Sequence, residues 1–386
     1  MIPYARQNID KEDVEAVLNT LTSDFITTGP IIGEFEEKLC KLTGVKHAVV
    51  CSNGTAALHL ACLALGISKN DLGLTSAITF PASANCIEFC GGRADFIDID
   101  TGRLCLSPDE LESYCKNIEV PKVVIPVDFA GVPADLPRIW NLAQKYGFKV
   151  IEDAAHSIGS AYTFQGTEYQ CGSCKHSDLA IFSFHPVKNI TTGEGGAVLT
   201  NNDRLAERAR LFASHGIQRN HQKSSNSREP WFYEMIELGY NFRITDIQCA
   251  LGISQLNKLN KFKKKKLEVF KKYNKAFKNI RSVDCAPWPA NTSPHFHLYV
   301  LRVNQDKLRR IQLYNKLLKI NVKPQIHYIP VYWQPYYRKK YGYKVGKCPK
   351  SECYYSRCLS LPFYSSLNRI QIEFVISKIK EYSSNL

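Results

Sequence analysis

The spacing of hydrophobic positions changes along the chain, and the change divides it. Over roughly the first two thirds, short apolar runs rich in β-branched residues alternate with segments of helical spacing. The runs "KVVIPVDFAG" and "FKVIEDAAHS" each end in small and polar residues, and "LPRIWNLAQKYG" lies between them as a helix with a glycine stop. "NGTAALHLACLALGI" reads as another helix, with Ser52, Asn53, Gly54 and Thr55 as its capping turn. Buried strands joined by helical crossovers predict an α/β fold with a mainly parallel sheet covered on both faces. Such sheets gather ligands at the carboxyl ends of their strands.

The pattern then shifts. From Lys258 to Lys278, "KLNKFKKKKLEVFKKYNKAFK", the residues Leu259, Phe262, Leu267, Val269, Phe270, Tyr273 and Phe277 recur at near-helical spacing. This predicts a long helix whose lysines form a solvated face. Beyond it, "HFHLYVLRV" reads as a strand, "QLYNKLLKIN" as a short helix and "NRIQIEFVISKIKEYSS" as an amphipathic helix, around an aromatic and proline-rich stretch. The expected division is a large domain over residues 1–259 and a smaller α+β domain over 260–386. The stretch "RNHQKSSNSREPW" is expected to be a mobile loop.

Composition adds limits. A chain of 386 residues, 44% hydrophobic and 22% charged, fits a soluble protein of more than one domain. No run approaches the roughly 18 apolar residues of a membrane helix, and the start "MIPYARQNIDKEDVEAVL" has early charges without an apolar block. A cytoplasmic protein with no membrane partner is expected. The net charge of +14 invites a nucleic-acid or regulatory role, but no nucleic-acid motif accompanies the basic helix. No nucleic-acid partner is expected. Of the 14 cysteines, Cys40, Cys62, Cys86 and Cys249 lie in apolar stretches and read as small buried hydrophobes. Cys171 and Cys174 form a CxxC, yet no second pair follows at the spacing a structural zinc needs, so no metal is expected.

Three features carry chemistry. Asp153 stands where an apolar run leaves the sheet; by itself it reads as a cap for "AAHSIG". Lys188 follows another strand-like run, "DLAIFSF"; by itself it is a surface lysine beside a glycine loop. "CSNGTAAL" is a glycine turn opening a helix, a ready anion site, and Ser183 and "TTGEGG" add hydroxyl and backbone donors near Lys188. An anion cradle, a carboxylate and a reactive amine are together what pyridoxal 5'-phosphate requires: for its phosphate, its ring nitrogen and its aldehyde. Phe80, in "TSAITFPASAN", offers a flat surface for the ring.

The stretches "SNGTAAL", "ITFPASAN", "IEDAAHSIGS", "SDLAIFSFHPVKNITTGEGGAVLTN" and "LGYNFRITDIQCALGISQL", in this order, resemble the DegT/StrS family of nucleotide-sugar aminotransferases. The resemblance runs the length of the chain. "GSCKHSDLAIFSFHPVKNITTGEGG", "LFASHGI" and "VKPQIHYIPVY" are similar to the branch serving pseudaminic acid biosynthesis. The resemblance implies a fold-type I, aspartate-aminotransferase-like architecture and a homodimer with sites at its interface. By position it makes Lys188 the Schiff-base lysine and Asp153 the partner of the ring nitrogen. His156 falls near the phenolic oxygen, Thr55, Ala56 and Ser183 at the phosphate, and Phe80 against the ring. Asn241 matches a residue reaching the phosphate from the partner subunit. Arg243, His327 and Tyr328 match candidates for sugar or diphosphate contacts, though each also reads as a packing or interface residue. Where some members replace the lysine and dehydrate their substrate, the presence of Lys188 implies transamination. The implied reaction carries an amino group from L-glutamate to C4 of a UDP-linked 4-keto-6-deoxy-N-acetylamino sugar. Other 4-amino or 3-amino sugars on UDP, dTDP or GDP are the alternative, and a non-catalytic regulatory or nucleic-acid-binding protein on the same scaffold is the alternative from another class. "NDLGLTSAITF" lacks the usual apolar run, so a short strand or an irregular edge is expected there.

Overall fold

The computed structural model describes residues 1–218, 231–304 and 307–383; of the expected mobile loop, all but Trp231 lies outside the described residues. Helices α1 (Lys11–Leu21) and α2 (Pro30–Thr43) lead into β1 (His47–Cys51), α3 (Gly54–Leu65), β2 (Leu72–Ser76), α4 (Ala82–Phe89) and β3 (Arg93–Ile97). Next come α5 (Pro108–Asn117), β4 (Val123–Ile125), α6 (Leu136–Tyr146) and β5 (Lys149–Asp153). A hairpin of β6 (Ala161–Phe164) and β7 (Thr167–Gln170) precedes β8 (Leu179–Ser183) and β9 (Gly196–Thr200). They are followed by α7 (Asp203–Ala213), β10 (Ile217–Gln218), β11 (Glu234–Met235), α8 (Asp246–Asn257) and α9 (Leu259–Phe277). The last part holds β12 (Val283–Asp284), β13 (Thr292–Ser293), β14 (Tyr299–Val303), α10 (Lys307–Lys319), α11 (Pro335–Tyr341), α12 (Pro349–Arg357), β15 (Cys358–Leu361) and α13 (Arg369–Ser383).

The central sheet has seven strands in the order β1-β9-β8-β5-β4-β2-β3. Pairing is parallel from β8 to β3, while β9 runs antiparallel to both β8 and β1. This is the covered, mostly parallel α/β sheet that the alternation of runs and helices predicts. The period of two is visible in β4: Val124 packs in one apolar cluster, while Val123 and Ile125 pack in the cluster on the other face. A third cluster joins Val269, Phe270, Tyr273 and Phe277 of α9 to β14, α10, β15 and α13. Chain order is crossed in both directions: Ile2 bridges to Val322, and Val331, Tyr332 and Tyr337 pack in the α3 and α4 layer.

Three expectations are corrected. The stretch "NDLGLTSAITF" forms neither an edge nor an irregular strand, because β2 is buried throughout and lies between β3 and β4. Its short apolar content has a packing reason. A Cβ at Gly73 would come 2.5 Å from Ile87 Cδ1, so the missing side chain is what lets α4 pack down onto the sheet. In "HFHLYVLRV" only Tyr299–Val303 forms a strand, since the first half instead turns its backbone to the 129–131 turn, with His297 N–H donating to Ala130 O at 2.7 Å. Nor do all lysines of the basic helix face solvent. Lys258 is buried against Asp10 and Asp13, each at 2.6 Å. Lys266 is 4% exposed, because it takes a place in the buried stripe between Phe262 and Val269.

Candidate active site

Two parallel strands end side by side and deliver two functional groups. β5 ends at Asp153, paired in register with Ile181 of β8, and β8 ends two residues later at Ser183. Asp153 is 3% exposed, and this burial pushes its carboxyl upward. Opposing it, Ser83 Oγ donates to Oδ2 at 2.6 Å and Ala155 N–H donates to Oδ1 at 3.2 Å. Ser83 is in turn fixed by Thr79, 2.8 Å from hydroxyl to hydroxyl. The carboxylate therefore has a set orientation.

Lys188 sits in the turn leaving β8, with its backbone N–H donating to His185 O at 2.8 Å. The loop closes back on the strand end: Thr191 Oγ1 and Thr192 N–H both donate to Phe184 O, and Gly193 N–H donates to Thr191 Oγ1. Gly193 has φ +80°, where a side chain would be strained. Solvent reaches Lys188 only in part, and its enclosure by protein pushes the amine down to about 8, against the opposing pull of the Asp153 charge. A lysine so placed exchanges protons near neutral pH.

The amino end of α3 is pressed against Ser183. A Cβ at Gly54 would lie 2.7 Å from Ser183 Cβ and 2.9 Å from its Oγ, and one at Gly196 would collide with Asn53 O. Both glycines are close-approach residues that bring a helix start, with its positive dipole end, onto a hydroxyl. Asn53 caps the helix by accepting from Ala56 N–H at 2.8 Å.

His156 forms the opposite wall. It is 4% exposed, and burial first, then the Lys188 charge, holds it well below the usual imidazole range. Its Nδ1 accepts from Ala130 N–H at 3.3 Å, so the neutral ring carries its proton on Nε2, which lies 3.4 Å from Tyr328 Oη. His297 packs against the same ring at 4.3 Å. His327 is held by Ser360, Nδ1 to Oγ 2.8 Å, and burial pushes it down to about 3.

These groups share a cavity of about 890 Å3, whose wall includes Thr55, Ala56, Phe80, Asp153, His156, Ser183, Lys188, His327 and Tyr328. Asn241 and Arg243 are outside it and exposed. Asn241 forms a backbone bridge with Ser214, and Arg243 Nη1 lies 3.5 Å from Ser214 Oγ. Ser83, His297, Tyr4 and Gln325 line the cavity without having been read from the sequence. Ser83 was discoverable, since it falls three residues after Phe80, one helical turn into "FPASAN". Tyr4 and Gln325 had no local signal, because they arrive through the pairing of the first residues with the chain near residue 322.

One member of the CxxC belongs to a different cluster. Among the described residues, Asp128, Glu152 and Cys171 are the one group of potential metal donors that come together; Cys174 is not in it. Protein groups already occupy the carboxyls: Ser157 Oγ donates to Asp128 at 2.6 Å, Ala134 N–H donates to Asp128 at 2.8 Å and Gly172 N–H donates to Glu152 at 3.0 Å. Burial pushes both carboxyls upward, Asp128 to about 6 and Glu152 well above its ordinary range, and the nearby Asp128 charge adds to the rise at Glu152.

The whole chain has recognisable relatives. Residues 7–380 match the DegT/DnrJ/EryC1/StrS aminotransferase family. A UDP-4-amino-4,6-dideoxy-N-acetyl-beta-L-altrosamine transaminase of Campylobacter jejuni subsp. jejuni serotype O:23/36 is 37% identical over 377 residues, covering 97% of this chain and 96% of the relative. The solved structure of Helicobacter pylori PseC, an aminotransferase involved in the biosynthesis of pseudoaminic acid, superposes with a TM-score of 0.90 at 29% identity over all of both chains. The PLP-form of a sugar aminotransferase, Spr1654 from Streptococcus pneumoniae, superposes with a TM-score of 0.88 at 25% identity, covering 100% of this chain and 99% of that one.

Proposed function

The chain belongs to the DegT/DnrJ/EryC1/StrS aminotransferase family, and from that premise we propose that it moves an amino group from L-glutamate to C4 of a UDP-linked 4-keto-6-deoxy-N-acetylamino sugar, a step of pseudaminic acid biosynthesis. The observation that carries the reaction class is the meeting of Asp153, Lys188 and the Ser183-backed helix start in one cavity. The similarity to the altrosamine transaminase over nearly the whole chain supports the substrate.

Pyridoxal 5'-phosphate is the cofactor, and the donors present fit it. When bound, it supplies an electron sink that stabilises negative charge on the carbon losing or gaining a proton. Asp153 would hold the ring-nitrogen proton, Lys188 would anchor the aldehyde, and His156, with its proton on Nε2, would face the phenolic oxygen. Thr55 and Ser183 would hold the phosphate; the Ala56 N–H is engaged by the Asn53 cap and contributes through the helix end it completes. Phe80 would cover the ring.

Lys188 then takes the proton from Cα of glutamate and, in the second half-reaction, delivers a proton to C4 of the sugar. Its depressed pKa suits both tasks, because the free base and the ammonium are each accessible near neutral pH. His327 and Tyr328, at the cavity wall, are the contacts we assign to the sugar. Asn241 and Arg243, exposed and outside the cavity, are assigned to the cavity of a second copy, which makes the working unit a homodimer. We place the boundary between the large and small domains near residue 259, where α9 passes from the first core into the third. No helix among the described residues is long and apolar enough to cross a membrane, and a cytoplasmic location accords with the substrates proposed.

The test is a panel of 4-keto sugars on UDP, dTDP and GDP, each offered with L-glutamate. The expected result is amination of the UDP-linked N-acetylamino sugar with kcat/KM at least tenfold above the others. A strong preference for a dTDP- or GDP-linked sugar would contradict the substrate proposed.

A further inference from the structure

Lys266 interrupts an apolar stripe. Along α9 the buried positions are Leu259, Phe262, Lys266, Val269, Phe270, Tyr273 and Phe277, so an amine stands where the helix would place a hydrophobe. Carrying an amine into the interior is costly unless it finds a partner, and long aliphatic residues of similar size were available to fill the space. Its Nζ donates to a single side-chain acceptor, Asn189 Oδ1, at 2.7 Å, and no carboxylate pairs with it among the described residues. Asn189 is 5% exposed and fully employed: its Nδ2 donates to His295 O at 2.8 Å and to His156 O at 3.3 Å. One amide thus ties the residue next to Lys188 to α9, to the His156 turn and to the segment carrying His295.

We propose that Lys266 is a positioning residue for Lys188, acting through the Asn189 side chain. Lys188 must swing between two tasks while its backbone stays in place. The residue immediately after it, Asn189, anchors the turn through its side chain, and its carbonyl oxygen would be left unmet in the interior without Lys266. The same bond decides which way the amide faces: with Oδ1 taken by an ammonium or amine donor, Nδ2 is turned to the two backbone carbonyls. Loss of Lys266 frees the amide to rotate, loosening the Lys188 turn relative to His156. The titratable groups around Lys266 are Lys188, His156, His295 and His297 across the site, Lys263 one turn earlier, and the phenol of Tyr364 along the crevice behind Lys188. Burial lowers the Lys266 amine to about 7, which accords with the absence of a counter-charge.

The inference rests on Lys188 being the cofactor lysine, and that reading is checked separately by the visible band of the wild-type holoprotein and its loss in Lys188→Ala. The experiment compares wild type, Lys266→Met, Asn189→Ala and the double variant as cofactor-loaded proteins. Lys266→Met is expected to change the thermal midpoint little, because removing a buried amine offsets the cost of leaving Asn189 Oδ1 unmet. It should nonetheless shift the pH midpoint of the visible band by at least half a unit and slow the glutamate half-reaction about tenfold, with the KM for glutamate changed less than threefold. Asn189→Ala should give the same spectral shift, and the double variant should be no slower than Asn189→Ala within twofold. Should Lys266→Met not fold, Asn189→Ala alone decides by its band. An unshifted band in either folded single variant, or losses that add in the double variant, would overturn the proposal.

Discussion

Ser83 Oγ and Asp153 Oδ2 lie 2.6 Å apart, a hydrogen bond between the start of α4 and the end of β5 with both residues buried. Burial alone would favour a neutral carboxyl, and this donor acts against it. Hydrogen bonds to charged groups contribute about 1.5–3 kcal/mol. Ser83→Ala is therefore expected to raise the Asp153 pKa and lower kcat roughly tenfold. The acidic limb of the pH–rate profile should move to higher pH; an unmoved limb would count against the role given to Ser83.

The charged form of the buried Asp153 carboxyl is held in the fold at the expense of stability. Its folded pKa lies above its ordinary value, so the stability tied to the protonated form is lost as pH rises through the folded pKa. In the apo protein at pH 7, Asp153→Asn should then raise the thermal midpoint, while the activity of the cofactor-loaded variant falls more than a hundredfold. The stability gain should shrink as the pH is lowered toward 4, because proton uptake by the parent carboxyl removes its buried charge. Calorimetry of both proteins at the two pH values checks this, and a destabilised variant at pH 7 would refute it.

Capture of the cofactor should report the Lys188 amine directly. With that amine pushed down to about 8 by its enclosure, the rate at which apo protein binds added pyridoxal 5'-phosphate should rise with pH and level off just above pH 8. A lysine at its ordinary pKa would instead give a rate still climbing near pH 10.

Two glycine substitutions separate packing at the site from helix propensity. Gly54→Ala places a Cβ 2.7 Å from Ser183 Cβ, so a loss of about 1–3 kcal/mol and at least tenfold weaker cofactor retention are expected. Gly33→Ala, within α2 and facing open space, should instead stabilise by about 0.5–1 kcal/mol with activity unchanged. Urea unfolding and cofactor titration measure both.

The alternation of apolar runs and helices made the covered parallel sheet legible, because strand-end chemistry is local: Asp153 and Ser183 stand at the ends of their own runs. The capping turn at Asn53 was equally local. What the pattern missed depends on neighbours far along the chain. Gly73 looked like a weak strand until Ile87 filled the space above it. Lys258 and Lys266 looked solvated because a stripe of apolar residues predicts which face is buried, and charge was counted as proof of exposure. Their partners, Asp13 and Asn189, come from α1 and the Lys188 turn. Tyr4 reaches the cavity only because the first residues pair with the chain near residue 322.

The most direct test is the visible spectrum of the purified protein loaded with pyridoxal 5'-phosphate, before and after L-glutamate, beside Lys188→Ala. The account predicts a yellow band that bleaches with glutamate in the wild type and is absent from the variant. A wild-type protein that shows no band with excess cofactor, or a band that persists in Lys188→Ala, would contradict it.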